Sequence, residues 1–202
     1  MKKIVITGGP CAGKTTVINA LKAEFGATAS FVPECATLIL SGGFPAPPDQ
    51  QFLGHEKFDN WQRQFQNAIY HTQLALEDLA VSEAQLENKD MVICDRAIAD
   101  GIAYHPEGLA GFIFQFHIHC PQIYDRYDAV IFLESLAIGQ PELFSRAGNE
   151  HRYESVENAS EVNGRTRRAW YLHKNFHYIE SSLSLEEKIA HVRSLVLGEI
   201  RG

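Results

Sequence analysis

The sequence predicts an α/β fold of three layers, in which helices cover both faces of one parallel β-sheet. Five short apolar runs recur along the chain, and they lack the polar alternation of strands that face solvent on one side. Segments with the 3.6-residue spacing of helices separate these runs. Because alternating strands and helices build crossover connections, the strands are expected to run parallel. With 202 residues, 45% of them hydrophobic, the chain is expected to form a single domain over residues 1–202.

The predicted strands cover residues 4–6, 31–33, 91–94, 129–133 and 176–179. A helix follows the first strand, and its apolar face is made of Val17, Ile18, Leu21 and Phe25. Aromatic and aliphatic residues recur at helical spacing over residues 58–79, and we expect the aromatic ones to lie in the core. Ser184 and Glu187 form a capping box that predicts the start of a C-terminal helix.

Residues 8–15 read Gly-Gly-Pro-Cys-Ala-Gly-Lys-Thr and match the phosphate-binding pattern G-x-x-x-x-G-K-[ST] between a strand and a helix. Glycines let backbone N–H groups turn inward around an anion, and the helix N-terminus adds its positive end. Lys14 is expected to reach the β- and γ-phosphates, and the Thr15 hydroxyl is expected to ligate Mg²⁺. The predicted nucleotide-binding residues are Gly8, Gly9, Pro10, Cys11, Ala12, Gly13, Lys14, Thr15 and Thr16. Binding of a nucleoside triphosphate, ATP with GTP not excluded, is therefore the central hypothesis.

Charged residues follow two of the predicted strands, at the edge where parallel sheets bind ligands. Asp95 follows the third strand and is expected to hold Mg²⁺ opposite Thr15, with a simple helix cap as the alternative. Glu34 follows the second strand and is interpreted either as the general base for an acceptor hydroxyl or as an N-cap or surface acid. Arg96 and Asp100 adjoin this site, the first to contact a donor or acceptor oxygen and the second to orient it.

Five of the ten arginines fall within 23 residues, although the net charge of the chain is −7. They are Arg146, Arg152, Arg165, Arg167 and Arg168. Either they lie on a solvated helix face, or they belong to a lid at about residues 140–170 whose guanidinium groups pair with polyphosphate oxygens. With the lid hypothesis, the predicted catalytic residues are Lys14, Glu34, Asp95, Arg96 and Arg152.

Composition excludes several other classes of protein. The net charge of −7 argues against a nucleic-acid partner. No apolar run approaches the roughly 20 residues of a membrane span and no signal sequence is evident, so a cytoplasmic protein is expected. Four cysteines without a C-x-x-C pair indicate reduced thiols. His117, His119 and Cys120 are close in sequence, but helical spacing would separate the histidines and Pro121 is expected to end the helix, so no zinc site is expected.

Four blocks of sequence occur in this order along the chain: I-V-I-T-G-G-P-C-A-G-K-T-T, V-P-E-C-A, V-I-C-D-R-A-I-A-D-G-I-A-Y and R-Y-E. Together they resemble the P-loop kinase-like ATPase domain family, which includes the ribosylnicotinamide kinase domain of NadR and the nucleotide-binding domain of the TRP translocation-defect protein. The resemblance covers nearly the whole chain. It implies a kinase-type sheet order of 2-3-1-4-5, binding of Mg-nucleotide, and an acceptor pocket near Glu34 and Asp95. The chain departs from the family pattern at Ala97, where many relatives carry glycine, and at Asn163-Gly164, which is expected to interrupt the helix after Arg152.

Three functional classes fit these features. The first is a small-molecule kinase, in which Lys14, Mg²⁺ and lid arginines support transfer of the γ-phosphoryl group to a hydroxyl of a nucleoside-like or other small metabolite. The second is a nucleotide-dependent switch or slow NTPase that controls a protein or lipid partner. The third is a module that binds nucleotide or phospholipid without turnover. We favour the kinase, whose acceptor pocket is expected to be formed by residues 39–48 and 101–116.

Overall fold

The computed structural model describes residues 1–49, 54–144 and 155–201. Its sheet consists of the strands β1 Lys2–Gly8, β2 Ala29–Val32, β3 Met91–Asp95, β4 Ala129–Leu133 and β5 Phe176–Ile179. All neighbouring strands run parallel, in the order β2-β3-β1-β4-β5. The central strand β1 pairs Ile6 with Asp95 of β3 and Gly8 with Leu133 of β4. Both the predicted three-layer fold and the predicted strand order are confirmed.

The fourth and fifth strands have the predicted bounds, whereas the bounds of the first three differ from the apolar runs that predict them. The second strand begins at Ala29 rather than at residue 31, because Ala29 and Ser30 pair with β3 and are buried there despite their weak strand preference. It ends before Pro33, whose nitrogen has no hydrogen to donate to a neighbouring strand. The sheet thus carries residues that intrinsic preference alone would leave outside it.

Helices cover both faces of the sheet. Within the described ranges they are α1 Lys14–Phe25, α2 Cys35–Ser41, α3 Glu56–Leu86, α4 Asp100–Tyr104, α5 Gly108–Phe116, α6 Cys120–Tyr124, α7 Leu136–Gly139, α8 Val156–Trp170 and α9 Leu185–Arg201, with a short 3-10 helix at Pro141–Leu143. Among these helices, none has the length and apolar character that crossing a bilayer requires.

Successive residues of β1 belong to different hydrophobic cores. Ile4 and Ile6 pack in a core with residues of α1 and α9, whereas Val5 packs in a second core with residues of α3, α5 and α8. This alternation follows from the two-residue period of a strand. Because both cores are apolar, the strand shows no polar alternation in the sequence.

Helix α8 runs without a break through Asn163-Gly164, so the predicted interruption is wrong. The Asn163 side chain is buried, and its Oδ1 accepts a hydrogen bond from the backbone N–H of Ser135 at 2.9 Å. An asparagine that bonds a neighbouring loop does not compete with the hydrogen bonds of its own helix. The pair therefore fixes α8 to the end of β4 instead of interrupting the helix.

Candidate functional site

The predicted phosphate-binding residues form the loop between β1 and α1. Gly8, Cys11 and Gly13 have φ angles of 143°, 53° and 85°, a region that most side chains disfavour. A Cβ atom on Gly8 would lie 2.0 Å from the carbonyl oxygen of Leu133, so β4 leaves no space for a side chain there. Backbone of this kind turns successive N–H groups toward one side of a loop, as an anion-binding loop requires.

Lys14 is the first residue of α1, and its side chain folds over the loop. Its Nζ donates to the carbonyl oxygens of Gly8 at 3.2 Å and Gly9 at 2.8 Å, and the residue is 8% exposed. Thr15 and Thr16 follow in the first turn and are exposed. The N-cap residue of α1 is a glycine, so no side chain competes with a ligand for the N–H groups of the first turn.

Ser135, which follows β4, and Asn163 of α8 hold the loop from the side, a contact that the sequence did not predict. The Ser135 hydroxyl donates to the carbonyl oxygen of Pro10, while the Ser135 N–H donates to Asn163. Asn163 also packs directly on the loop, because a Cβ atom on Gly9 would lie 2.6 Å from its Oδ1. The loop is thereby fixed to both β4 and α8.

Asp95 is the last residue of β3 and lies beside β1 in the sheet. Its Oδ1 is buried and has no hydrogen-bond partner among the described residues. Burial raises its pKa to about 6, and the nearby negative charge of Glu34 adds to this effect. A helix cap is not its role, since the next helix begins at Asp100 with Ala99 as N-cap. A buried, unpartnered carboxylate oxygen beside a phosphate-type loop is chemically suited to a divalent cation such as Mg²⁺.

Glu34 and Arg96 form an ion pair between the ends of β2 and β3. Arg96 Nε lies 2.8 Å from Glu34 Oε1, and the Thr37 hydroxyl donates to Glu34 Oε2 at 2.7 Å. Burial by itself would raise the pKa of Glu34, but the charge of Arg96 and these hydrogen bonds outweigh it and lower the pKa to about 2. Glu34 occupies the N-cap position of α2, yet its side chain makes no capping hydrogen bond. This carboxylate is therefore ionised throughout the physiological range.

The guanidinium of Arg96 is held in place by further contacts. Its Nη1 donates to the Gly8 carbonyl oxygen at 3.2 Å and to Asp100 Oδ1 at 3.0 Å. Arg96 has a φ of 64°, and its backbone N–H donates to the Ile6 carbonyl oxygen at 3.0 Å. A left-handed conformation at a residue other than glycine is strained and persists only where the surroundings fix it. These contacts connect the Glu34–Arg96 ion pair to the phosphate-type loop.

A cleft opens next to the ion pair, between α2, α3 and α4. Its polar wall contains Glu34, Arg96 and Asp100, and its apolar wall contains Phe65, Ile69 and Tyr104. Gln66 and Gln73 of α3 also line it. Of the segments predicted to form an acceptor pocket, residues 101–116 contribute Gly101 and Tyr104 to the lining of the cleft. Residues 39–48 do not line it; Phe44 of that segment instead contacts the lining residue Phe65, with ring centroids 5.2 Å apart.

Helix α3 supplies residues that the sequence analysis assigned to the core. Phe65 is buried but lines the cleft, and Trp61 stacks on it with ring centroids 4.8 Å apart. Gln66 is 4% exposed and lines the cleft. A buried amide in this position offers a donor and an acceptor to a ligand in the cleft.

The arginine-rich segment is only partly described. Arg165, Arg167 and Arg168 lie on α8, where Arg165 donates to the His105 carbonyl oxygen at 3.4 Å and Arg167 lies 4.4 Å from the ring of Tyr178. The other two arginines of the predicted lid, Arg146 and Arg152, lie outside the described residues. The lid and the catalytic role of Arg152 stay predictions.

The histidine-rich segment between α5 and α6 differs from its prediction in one respect. Pro121 does not end a helix; it lies in the first turn of α6, where its missing N–H is tolerated. His117 and His119 are separated by the break between the two helices. In the described part of the chain, no group of three or more His, Cys, Asp or Glu side chains could hold a metal ion. All four cysteines have free thiols.

The chain is similar to known proteins both in its sequence family and in its fold. A family model described as an AAA domain matches residues 3–188. No curated protein matches the chain. Among solved structures, deoxyadenosine kinase from M. mycoides with bound dCTP is similar, with a TM-score of 0.64, 13% identity, and coverage of 97% of this chain and 99% of the kinase. The same kinase with the products dCMP and a flexible dCDP gives a TM-score of 0.64 at 14% identity with the same coverage.

Proposed function

The chain belongs to the AAA domain family, and we propose that it is a Mg-dependent, ATP-binding small-molecule kinase. It transfers the γ-phosphoryl group to a hydroxyl of a nucleoside-like or other small acceptor. The observation that carries the proposal is the Glu34–Arg96 ion pair, which forms the wall of a cleft and contacts the Gly8 carbonyl of the phosphate-type loop. An NTPase that transfers the phosphoryl group to water would not need a cleft for an acceptor molecule beside the phosphate-type loop.

The donor nucleotide binds in the loop between β1 and α1. Backbone N–H groups of residues 8–9 and 11–16 surround its phosphates, and Lys14 neutralises charge that develops on the transferred group. Thr15 and Asp95 would hold the Mg²⁺, which would neutralise negative charge on the phosphate oxygens. The orphaned Oδ1 of Asp95 supports this assignment.

The acceptor hydroxyl lies against Glu34. Its oxygen forms a bond to the γ-phosphorus while the bond from that phosphorus to the β,γ-bridging oxygen breaks, and ADP leaves. The hydroxyl proton passes to the Glu34 carboxylate. Because the pKa of Glu34 is about 2, the proton moves late, once the new P–O bond has made the hydroxyl strongly acidic. Before that step the carboxylate orients the hydroxyl, and Arg96 fixes the carboxylate.

The walls of the cleft support an acceptor with a flat apolar body and a polar edge. Phe65 and Tyr104 offer aromatic surface, and the buried Gln66 amide offers a hydrogen-bonding pair. Nucleosides combine these properties with a free hydroxyl. The fold that the chain shares with a deoxyadenosine kinase agrees with this class of acceptor but does not select one.

The proposal is tested by incubating the protein with Mg-ATP, or with Mg-GTP in a parallel series, and a panel of nucleosides and other small hydroxyl compounds. We expect at least one acceptor to stimulate ADP release and to appear as its monophosphate. Slow hydrolysis that no acceptor stimulates would instead favour a nucleotide-dependent switch or NTPase. Nucleotide binding without any turnover would favour the binding module.

A further inference from the structure

The carboxylate of Asp100 joins three separate parts of the site. Its Oδ1 accepts from the Thr7 hydroxyl of β1 and from Arg96 Nη1, and its Oδ2 accepts from the Ala97 N–H at 3.2 Å and from Trp170 Nε1 at 2.9 Å. Asp100 is 5% exposed. A carboxylate has about four lone-pair sites, and here each receives a donor. Asp100 therefore has no acceptor capacity left for a substrate, and it acts through the groups that it holds.

Trp170 is the last residue of α8 and is fully buried. Its indole ring packs edge-on against Tyr127, with centroids 5.5 Å apart, so both its position and its N–H direction are fixed. Through this N–H, the end of α8 is bonded to the residue that orients Arg96.

The same helix contacts the phosphate-type loop two turns earlier. Asn163 packs on Gly9 and bonds Ser135, which in turn bonds Pro10. Trp170 follows Asn163 by seven positions of helix, about 10 Å along the axis. Helix α8 is thus a rigid connection between the loop proposed to hold the donor and the ion pair proposed to hold the acceptor.

We propose that Asp100 and Trp170 are positioning residues that couple helix α8 to the Arg96–Glu34 pair, so that the donor side and the acceptor side of the site are aligned together. The catalytic consequence rests on the proposed kinase function, whereas the coupling itself does not. Arg165, Arg167 and Arg168 lie on α8, so a movement of this arginine-bearing helix is transmitted to Arg96 through two hydrogen bonds to Asp100, one from Trp170 and one from Arg96.

The first arm of the test needs no ligand. The substitution Glu34→Gln removes the charge that pairs with Arg96. We expect the indole N–H signal of Trp170 to shift in the ¹H–¹⁵N spectrum, although Glu34 does not contact that ring. The Nε–H signal of Arg193, which pairs with Glu24 at 2.6 Å elsewhere on the surface, is the internal control and should stay in place. An unmoved Trp170 signal would overturn the coupling, whatever the activity of the protein.

The second arm measures turnover with an acceptor found in the panel. We expect Trp170→Phe, and Asp100→Asn if it folds, to lower kcat at saturating acceptor by about tenfold, while the calorimetric Kd for Mg-ATP changes by less than about twofold. Tyr124→Phe is the matched control, because it removes a hydrogen bond of 2.8 Å to the Ala169 carbonyl oxygen near the same helix end without touching Asp100. Equal losses in Tyr124→Phe and Trp170→Phe would reduce Trp170 to a packing role and overturn the inference. A wild-type protein that binds Mg-ATP but phosphorylates nothing would overturn the kinase reaction alone.

Discussion

Arg96 and Glu34 form an ion pair with an N–O distance of 2.8 Å. Asp95, which directly precedes Arg96, has a buried carboxylate oxygen without a partner among the described residues. The positive charge thus satisfies Glu34, which comes from another strand, while Asp95 retains a raised pKa. The two acids therefore differ in state: Glu34 is ionised across the physiological range, whereas Asp95 has a raised pKa and a buried oxygen without a partner among the described residues.

Neutralising these two acids should change the stability of the fold in opposite directions. The pKa of Asp95 rises from 3.8 to about 6 on folding, so the cost of its ionisation in the folded state builds up between pH 3.8 and 6 and is complete above pH 6. Asp95→Asn should increase the free energy of unfolding at pH 8 by about 1–3 kcal/mol without Mg²⁺. The pKa of Glu34 falls from 4.5 to about 2, so its charge favours folding above pH 4.5, and Glu34→Gln should lower the free energy of unfolding by a similar amount.

Urea denaturation at pH 8 and in acid measures both changes. The effect of Glu34→Gln should fade as the pH falls from 4.5 toward 2, because the wild-type carboxylate is then protonated. The effect of Asp95→Asn should fade as the pH falls from 6 to below 3.8. A destabilising Asp95→Asn at pH 8 would mean that this carboxylate has a stabilising partner and is not reserved for a cation.

Binding of Mg-ATP should weaken in acid because of Asp95. A carboxylate must lose its proton before it holds a metal ion, so the affinity should fall below pH 6 by up to about tenfold per pH unit. ATP has its own phosphate titration in this range. Calorimetry on Asp95→Asn provides the correction, since only the titration of the nucleotide remains in that variant. Identical pH profiles for the two proteins would remove Asp95 from the magnesium site.

Lys14→Ala should remove most of the turnover. Its ammonium lies inside the loop against the Gly8 and Gly9 carbonyl oxygens, where a positive charge would stabilise the transferred phosphoryl group. We expect a loss of order 10³-fold in kcat, as is typical when a principal charge-stabilising donor is removed. The matched control is Lys22→Ala, which truncates an exposed lysine later on the same helix and should keep full activity. Unchanged turnover in Lys14→Ala would refute the proposed role of the loop.

Glu34→Gln should separate donor binding from phosphoryl transfer. Glutamine keeps the shape of the side chain but cannot take the proton of the acceptor, so transfer should fall while the Kd for Mg-ATP stays close to that of the wild type. Isothermal titration with Mg-ATP and acceptor-dependent ADP release measure the two quantities. A variant that loses nucleotide affinity but transfers normally once saturated would place Glu34 outside the acceptor site.

The sequence predicts the parts of this site that depend on local order along the chain. The phosphate-type loop, Asp95 and Glu34 each lie at the end of a strand or within two residues after it, and parallel strands bring their carboxyl ends to one edge of the sheet. Once the strand order is known, these residues have to lie near one another. The ionised state of Glu34 was not predictable, because it depends on a partner 62 positions away, Arg96.

Contacts between distant elements could not be predicted from spacing. Helical periodicity marks Phe65 as inward-facing, but it cannot distinguish a side chain in the core from one that lines a cleft. The Asn163-Gly164 pair reads locally as a helix interruption, yet the hydrogen bond from Ser135 gives the asparagine a buried partner within a continuous helix. The bond from Trp170 to Asp100 spans 70 positions and has no local signature.

The space around two glycines predicts opposite effects of the same substitution. Gly8 has a φ of 143°, and an added Cβ atom would lie 2.0 Å from the carbonyl oxygen of Leu133. That oxygen belongs to the backbone of β4, which cannot withdraw without disturbing the pairing of Gly8 with Leu133. Gly8→Ala should therefore lower the free energy of unfolding by about 3 kcal/mol or more, since strain and a backbone clash combine.

Gly198 lies within α9, where an added Cβ atom meets nothing within 4 Å, so Gly198→Ala should raise stability by about 0.5–1 kcal/mol through helix propensity alone. Urea denaturation of the two variants measures both effects. A well-folded Gly8→Ala with unchanged affinity for Mg-ATP would show that β4 does not press on the loop, and the tight backbone proposed to hold the phosphates would not exist.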